Sequence, residues 1–368
     1  MSQSFPMLDN IFAQPASHRA VLALHQGDRH ATLIACAERI RKAPGRVIFS
    51  GMGGSLFAAL PAVSRLWQQG NAVQAVESAE LLHYGSTGLR GGDVGVVISR
   101  SGGSIEPVLV AEKMREAGMT VIGVTNVPGS SLEQIADLTL PIGSQPDKLI
   151  AVQTYTGTVL TLLLLAEEVL AGGSGKLGDA CGAALPALSA HIDECLRESD
   201  SWQDLLMGGP LYLLGRGPAL ASVYEGALLL HETAKTAAVG MSSGQFRHGP
   251  AEIISGDFRA VVFGTPPITR ALDRALADDL FRLGAKVGWI GPPAAGVDSG
   301  DHAPSLVPWP ELAPVLAPLF EIVPLQIAAY RLALWRGITP GDFRFVTEVT
   351  SSESGFAASG ASSRAHGA

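Results

Sequence analysis

The chain has 368 residues, of which 47% are hydrophobic and only 16% charged, so it can bury a large core in one or two domains. The formal net charge is −8 and no stretch is rich in lysine and arginine, which argues against nucleic-acid binding. Three cysteines without a CxxC spacing, and an amino terminus without a basic-then-apolar segment, predict a cytoplasmic protein with reduced thiols.

Short β-branched runs alternate with helical patterns from residue 46 onward, which predicts an α/β fold with parallel sheets flanked by helices. A helix is expected near residues 154–170, after the last strand of the first half. The predicted strands of this half are Val47–Ser50, Ala72–Val76, Val94–Ser99, Val121–Thr125 and Leu138–Pro141.

The small polar loop after the third strand, Ser99-Arg-Ser-Gly-Gly-Ser104, is the most informative segment. It separates an apolar strand from an amphipathic helical pattern, so backbone N–H groups and a positive helix end would point at an anion. The hydroxyls of Ser99, Ser101 and Ser104 can donate further hydrogen bonds to phosphate oxygens. No Walker lysine is present, so a nucleoside triphosphate is not expected. The alternative is an ordinary turn with a serine helix cap.

A second glycine-rich turn, Gly51-Met-Gly53-Gly54-Ser55, invites comparison with a dinucleotide-binding loop. The third glycine of GxGxxG would fall at Leu56, where the pattern fails. Glu77 lies at a plausible distance for a ribose-binding acid, but a single acidic residue there is weak support. We therefore expect no nicotinamide or flavin, and expect Ser55 to face a polar ligand.

The second half repeats the plan of the first. Val47–Gly53 and Tyr212–Gly217 are both apolar strands that end in glycines before a helix, which indicates duplication. Residues 172–176 are small and polar and predict a linker, with helical segments at 179–205. The remaining predictions are strands at Leu211–Gly215, Ala260–Phe263 and Val287–Ile290, with helices at 219–236, 268–283 and 312–335.

Two long apolar stretches, 154–172 and 311–335, are interrupted by charged or polar residues, so they predict core helices rather than membrane spans. The Ser/Ala/Gly-rich segment 351–368 predicts a flexible tail.

Two ionisable residues of the second half are candidates for proton transfer. Glu232 lies in an apolar helical pattern, where a carboxyl has a raised pKa suited to moving a proton near neutral pH. His248 lies in a glycine- and proline-containing turn and could open a sugar ring. The alternatives are a solvated helix face, with Glu232 bridged to Lys235, and a loop histidine that bonds the backbone.

Taken in order, these segments resemble the SIS (sugar isomerase) family, specifically a tandem pair of SIS domains like the isomerase half of glucosamine-6-phosphate synthase. The resemblance covers residues 7–350 and includes a similar N-terminal helix. Ser99–Ser104 resembles the family's SQSGET phosphate loop. The other matching segments are Asn126–Ser131, which reads NVPGSS, followed by Gly215-Arg-Gly217, Glu225-Gly-Ala-Leu, His248-Gly-Pro250 and Val323–Ala329.

The resemblance implies a role for each matched residue. Ser99, Ser101 and Ser104 would bind the sugar phosphate, and Ser55 would contact sugar hydroxyls. Glu232 would move a proton between C1 and C2, and His248 would open the ring from the neighbouring subunit of a homodimer. Three further residues expected at the site are Arg100 beside the phosphate, and Gly54 and Ala151 beside the sugar.

The chain departs from the synthase pattern at two lysines. Leu229 stands where synthases carry a lysine three residues before the glutamate, and Glu348 stands at the position of the Schiff-base lysine. Imine chemistry on a ketose is therefore not supported. The motif Phe-Arg-His-Gly-Pro around His248, together with the absence of both lysines, is similar to the SIS deglycases.

The sequence thus predicts a phosphosugar isomerase that catalyses 1,2-proton transfer through an enediol or enolamine, without a metal or organic cofactor. A deglycase of 6-phosphorylated fructosamines and a non-catalytic sugar-phosphate sensor remain alternatives. Expected partners are a sugar phosphate and a second copy of the chain, with no nucleic acid and no membrane. The fold expected is two flavodoxin-like, three-layer SIS domains. Their boundaries are an N-terminal helical segment 1–43, SIS domain 44–172, helical linker 173–206, SIS domain 207–350 and tail 351–368.

Overall fold

The computed structural model describes residues 5–293, 302–345 and 349–354. The strands in these ranges are β1 Val47–Gly51, β2 Val73–Glu77, β3 Val94–Ile98, β4 Thr120–Thr125, β5 Leu138–Pro141, β6 Leu211–Gly215, β7 Ala238–Ser242, β8 Arg259–Phe263 and β9 Lys286–Ile290. The α-helices are α1 Pro6–Gln26, α2 His30–Arg41, α3 Gly54–Phe57, α4 Leu60–Gln68, α5 Ser78–Glu80, α6 Ile105–Glu116, α7 Ser131–Ile135, α8 Gln153–Ala171, α9 Gly175–Glu198, α10 Gln203–Leu206, α11 Leu220–Ala234, α12 Ser243–Phe246, α13 Arg270–Arg282, α14 Ala317–Glu321 and α15 Val323–Trp335.

The strands form two parallel sheets, as the alternation of strands and helices predicted. The first sheet has the order β2-β1-β3-β4-β5, which is the flavodoxin-like order. The second has the order β7-β6-β8-β9, the same arrangement without a fifth strand. Each predicted strand is confirmed to within one residue at either end, and β7 was not predicted.

Both faces of the first sheet are covered by helices, because successive strand residues point to opposite sides. Val96 and Ile98 belong to the core beneath α1, α4 and α8. Ile48 and Val97 belong to the core beneath α6 and α7. The resulting three layers place the ends of β1 and β3 inside the molecule, where a ligand can be enclosed.

One core runs through both halves of the molecule. The largest buried cluster contains Phe49 and Val96 of the first sheet together with Leu213 and Val261 of the second. Helices α1, α8, α11 and α15 supply the apolar side chains between the sheets. The boundaries that divide the chain into two SIS domains remain a prediction.

Three expectations from the sequence concern individual segments of the chain. Gly175 and Lys176 were predicted to belong to the linker, but they begin α9, whose buried face starts at Leu177. Among the described residues, Pro314–Trp335 is the one helical stretch apolar and long enough to cross a membrane, and 89% of its most apolar part is buried in the protein. Of the predicted tail, residues 355–368 lie outside the described residues.

Candidate active site

A cavity of about 320 Å³ opens at the carboxyl ends of β1 and β3. Its walls are the loops that follow these strands, the start of α8 and one face of α11. Ligands of parallel α/β sheets bind at this edge. Seven of the residues expected at the site line the cavity: Gly54, Ser55, Arg100, Ser101, Ser104, Ala151 and Glu232.

The turn after β1 depends on glycine at two positions. Gly53 has φ +49°, a conformation that residues with a side chain rarely adopt. At Gly54 a Cβ atom would lie 2.8 Å from Oε2 of Glu225, so a side chain here would displace that carboxyl. The glycines thus leave room for a helix of the second half over the first sheet.

The loop of residues 99–104 is held in shape by its own hydrogen bonds. Gly102, at φ +62°, donates its N–H to the carbonyl oxygen of Ser99 at 3.0 Å and to Oγ of Ser99 at 3.1 Å. The N–H of Gly103 donates to Oγ of Ser101 at 3.2 Å. Ser99 is 3% exposed and does not line the cavity, so its hydroxyl shapes the loop from beneath.

The remaining hydroxyls of this loop can serve a ligand. Ser101 accepts one hydrogen bond and keeps its own proton for donation. Ser104 occupies the cap position of α6, yet its side chain makes no capping bond to the helix. The serine-cap alternative therefore does not account for Ser104. Two hydroxyls line the cavity beside the N-terminus of a twelve-residue helix, a setting in which proteins bind phosphate, although the first N–H of the helix, on Ile105, donates to the carbonyl of Thr350 at 3.0 Å.

The opposite wall is fixed by a half-buried carboxylate that bonds to the start of α8. Asp147 accepts hydrogen bonds of 2.9 to 3.1 Å from the three N–H groups of residues 152–154 and a further one from the hydroxyl of Thr154. Burial raises the pKa of Asp147, although these hydrogen bonds oppose the shift. The chain between them carries Leu149 at φ +71° and brings Ala151 to the cavity.

Glu232 lies near the carboxyl end of α11 and faces Arg100 of the loop of residues 99–104. Burial raises its pKa, while the positive charges of Lys235 and Arg100 oppose the shift. The ammonium group of Lys235 donates to the backbone carbonyl of Glu232, and Lys235 ends the helix at φ +51°. A carboxyl in this state can accept and return a proton near neutral pH.

Sequence reasoning missed a second carboxyl, Glu225, which also lines the cavity. It is 2% exposed, and its Oε2 has no hydrogen-bond partner among the described residues. Burial, together with the negative charges of Glu232 and Asp147, raises the pKa of Glu225 well above its usual range. Its position seven residues before Glu232, two helical turns, is the signal that could have identified it.

Three expected site features lie elsewhere. His248 is exposed in the turn after α12 and does not line the cavity of its own chain. Leu229 is 1% exposed and packs in the core, so its position does not supply a polar group. Glu348 lies outside the described residues. In the described ranges, no three histidine, cysteine, aspartate or glutamate side chains are grouped to hold a metal.

The amino-acid sequence is similar to those of known proteins. Residues 39–167 match the family model described as SIS domain. The isomerizing glutamine–fructose-6-phosphate aminotransferase of Pyrococcus horikoshii is 30% identical over 346 residues, covering 91% of this chain and 55% of that protein. The chain thus spans about half the length of the relatives it matches.

Solved structures give the same fold. The C-terminal domain of glucosamine-fructose-6-phosphate aminotransferase from Francisella tularensis superposes with a TM-score of 0.78 at 17% identity, covering 93% of this chain and 99% of that chain. Tagatose-6-phosphate ketose/aldose isomerase from Escherichia coli superposes with a TM-score of 0.72 at 21% identity, covering 92% and 95%. The matching family model and the sequence similarity along the chain show that the protein belongs to the SIS family.

Proposed function

We propose that this protein is a phosphosugar isomerase that interconverts a ketose and an aldose phosphate by 1,2-proton transfer. The observation that carries the proposal is the cavity itself, which has serine hydroxyls and a helix N-terminus at one wall and Glu232 at another. The relatives include proteins named as phosphosugar isomerases and isomerizing aminotransferases, which fits this reaction.

The reaction follows from the positions of these groups. Ser101 and Ser104 bind the phosphate beside the N-terminus of α6, with Arg100 adding a positive charge. The carboxylate of Glu232 then removes the proton on C2 of the open-chain aldose, and the electron pair passes to the C1 carbonyl oxygen to form an enediolate. The hydroxyl proton on the C2 oxygen moves to the C1 oxygen, and the carboxyl of Glu232 returns its proton to C1 as the C2 oxygen becomes the carbonyl. Atoms and charges balance without an oxidant.

Ring opening and assembly belong to the same proposal. His248 lies outside the cavity of its own chain, so in this scheme it serves the cavity of a second copy in a homodimer. A cytoplasmic location, where sugar phosphates are retained, is part of the proposal.

A deglycase that releases an amine from a 6-phosphorylated fructosamine is the second candidate. It is favoured by one observation: no lysine lines the described part of the cavity, and Leu229 is buried in the core. Amine release from such an adduct requires the same proton transfer at Glu232 but no Schiff-base lysine.

One experiment separates these reactions. The protein is incubated in D₂O with fructose 6-phosphate, glucosamine 6-phosphate and a 6-phosphofructosyl amino acid, and exchange at carbon and released amine are followed by NMR. The isomerase predicts exchange and interconversion of a sugar phosphate, and Glu232→Gln should slow both by about a thousandfold. The matched control Glu116→Gln, on the exposed face of α6, should leave them unchanged. Amine release from the adduct alone would establish the deglycase, and sugar-phosphate binding without exchange would overturn both.

A further inference from the structure

A second cavity, of about 370 Å³, lies at the carboxyl ends of β6 and β8. Its walls are the loops that follow these strands, the residues around the start of α14, and one face of α4. These are the counterparts, in the second sheet, of the elements that enclose the candidate active site. The molecule therefore has one cavity at the equivalent edge of each parallel sheet.

The two cavities correspond residue by residue. Gly53 at φ +49° and Gly217 at φ +56° both have a positive φ in the turns after β1 and β6. Helix α11 from the second half covers the first cavity, and α4 from the first half covers the second. The same interval along the chain separates six pairs of lining residues, in which one member of each pair lines either cavity. The pairs are Gly53 and Gly217, Gly54 and Pro218, Ser55 and Ala219, Pro61 and Glu225, Ser64 and Leu228, and Gln68 and Glu232.

The loop after β8 offers the second cavity few backbone donors for an anion. The loop after β8 contains Pro266 and Pro267, which have no N–H to donate. The N–H groups of Thr269 and Arg270 are taken by the carbonyl of Pro266, at 3.3 and 3.0 Å. The guanidinium of Arg270 bonds the carbonyls of Gly264 and Thr265 at 2.9 and 3.0 Å and does not line the cavity.

The second cavity has an acid of its own. Glu321, on α14, is fully buried and lines the cavity. Its carboxyl accepts hydrogen bonds from the hydroxyl of Ser222 at 2.9 Å and from the hydroxyl of Thr265. Each carboxyl oxygen therefore accepts one hydrogen bond and keeps a lone pair for a donor on a ligand. Burial raises the pKa of Glu321 to about 7, and a cation beside it would favour the ionised form.

The other charges of the cavity are balanced. Arg65 lines it but is paired through Nε with Glu167 of α8. Much of the remaining wall is proline and aliphatic carbon, including Pro218, Pro318 and Val315. A ligand that fits is therefore compact and apolar, with one positively charged donor.

We propose that this second cavity is a ligand site, separate from the candidate active site, that takes a small primary amine with an apolar carbon skeleton and excludes sugar phosphates. The duplication preserved the cavity while prolines replaced the anion-binding loop and Pro61 and Gln68 took the positions of the two acids. The site therefore binds a ligand without transforming it, and the proposal does not depend on the reaction at the first cavity.

Isothermal titration calorimetry of the full chain with isoamylamine hydrochloride tests this site, with sodium isovalerate as the matched anion of the same skeleton. We expect saturable binding of one amine per chain and none of the isovalerate. Glu321→Gln should weaken amine binding by about tenfold, because the ion pair is lost. Ala219→Leu should fill the cavity and abolish binding, and Ser101→Ala, at the other cavity, should leave it unchanged.

If Ala219→Leu does not fold, Ile268→Lys keeps the proposal testable, because Ile268 is 79% exposed at the cavity and a lysine there would repel the ammonium. Equal binding of isovalerate and amine, or amine binding that survives both Ala219→Leu and Ile268→Lys, would overturn the proposal. So would the absence of saturable amine binding by the wild-type chain.

Discussion

Two carboxyl groups on one face of α11 dominate the chemistry of the candidate active site. Glu232 has oppositely charged neighbours in Lys235 and Arg100, whereas the groups that act on Glu225 are themselves acidic. Their environments therefore separate the two pKa values. This is the arrangement by which paired acids divide into a base and a neutral hydrogen-bond donor. Glu232 is suited to the first role and Glu225 to the second.

Glu225→Gln tests this division. Because glutamine keeps a neutral donor in the same place, we expect the variant to retain exchange at pH 7 within about threefold, whereas Glu225→Ala should lose about tenfold or more. Wild-type exchange should also fall at alkaline pH as Glu225 ionises beside Glu232, and this loss should be absent from Glu225→Gln. The pH–rate profiles of the three proteins check it. A Glu225→Gln variant as slow as Glu232→Gln would show that Glu225 acts by transferring a proton.

Buried His18 makes the protein sensitive to acid. Both of its ring nitrogens lack partners among the described residues, and burial lowers its pKa to about 4 from 6.5. The folded protein therefore binds fewer protons than the unfolded chain between these values, so the free energy of unfolding falls as the pH drops from 6.5 toward 4. The full cost of this one group is about 3 kcal/mol.

His18→Leu should therefore flatten the pH dependence of stability and raise the free energy of unfolding at pH 5 by about 2 kcal/mol relative to its effect at pH 7.5. Urea unfolding at several pH values measures this. His30→Leu, at an exposed position of α2, is the matched control and should leave the slope unchanged. An unchanged slope in His18→Leu would mean that another group causes the acid sensitivity. The other candidates are His25 and His191, whose pKa values burial also lowers to about 4.

At the scale of elements, the conformation of the loop of residues 99–104, between β3 and α6, depends on one glycine. At Gly102 a Cβ atom would meet the side chain of Ser130 and lie 2.8 Å from Oγ1 of Thr125, and the residue has φ +62°. Gly102→Ala should therefore displace the loop and weaken phosphate binding by about tenfold or more, measured as the inhibition constant of inorganic phosphate.

The matched control for that substitution is Gly70→Ala. Gly70 has φ +79° in the turn after α4, and no atom of the described residues lies within 4 Å of the position that a Cβ would take there. It carries the same backbone strain without the collision, so it should lower stability slightly and leave phosphate binding unchanged. Equal phosphate binding by Gly102→Ala and the wild type would separate the loop from the phosphate site.

The elements differ in how far the sequence could predict them. Strand β3 and residues 260–263 of β8 are apolar and buried, so composition alone identifies them. Strand β7, which is of the same length, contains Gly240 and is only partly buried, which leaves too weak a pattern. The start of α9 was mistaken for a linker because its small residues dominate locally, although Leu177 already begins the buried face.

The same contrast applies to the site. Ser101, Ser104 and Glu232 could be predicted because each stands in a motif whose chemistry is local. Ser99 stands in the same motif, but only the folded loop reveals that its hydroxyl is used internally. Asp147 acts through hydrogen bonds to the start of α8, which no local pattern indicates.

At the scale of the whole molecule, each half covers the ligand cavity of the other. Glu225 and Glu232 of α11 lie over the first sheet, and α4 lies over the second. The helices that carry the lining residues also fill the core between the sheets, so close packing holds the lining residues in place. His248 lies outside the cavity of its own chain, and under the proposed function it would serve the cavity of a second copy.

A mixed-dimer experiment tests that extension. In a two-fold symmetric dimer whose sites each combine Glu232 of one subunit with His248 of the other, a dimer of Glu232→Gln and His248→Asn chains has one site with both defects and one site with none. Each variant alone should be slow on a ring-closed sugar phosphate. The mixed dimer, isolated through two different affinity tags, should regain about half of the wild-type rate per dimer. A verified mixed dimer with no recovered activity would instead restrict His248 to its own chain or remove it from the reaction, and a monomer by light scattering would exclude the shared site.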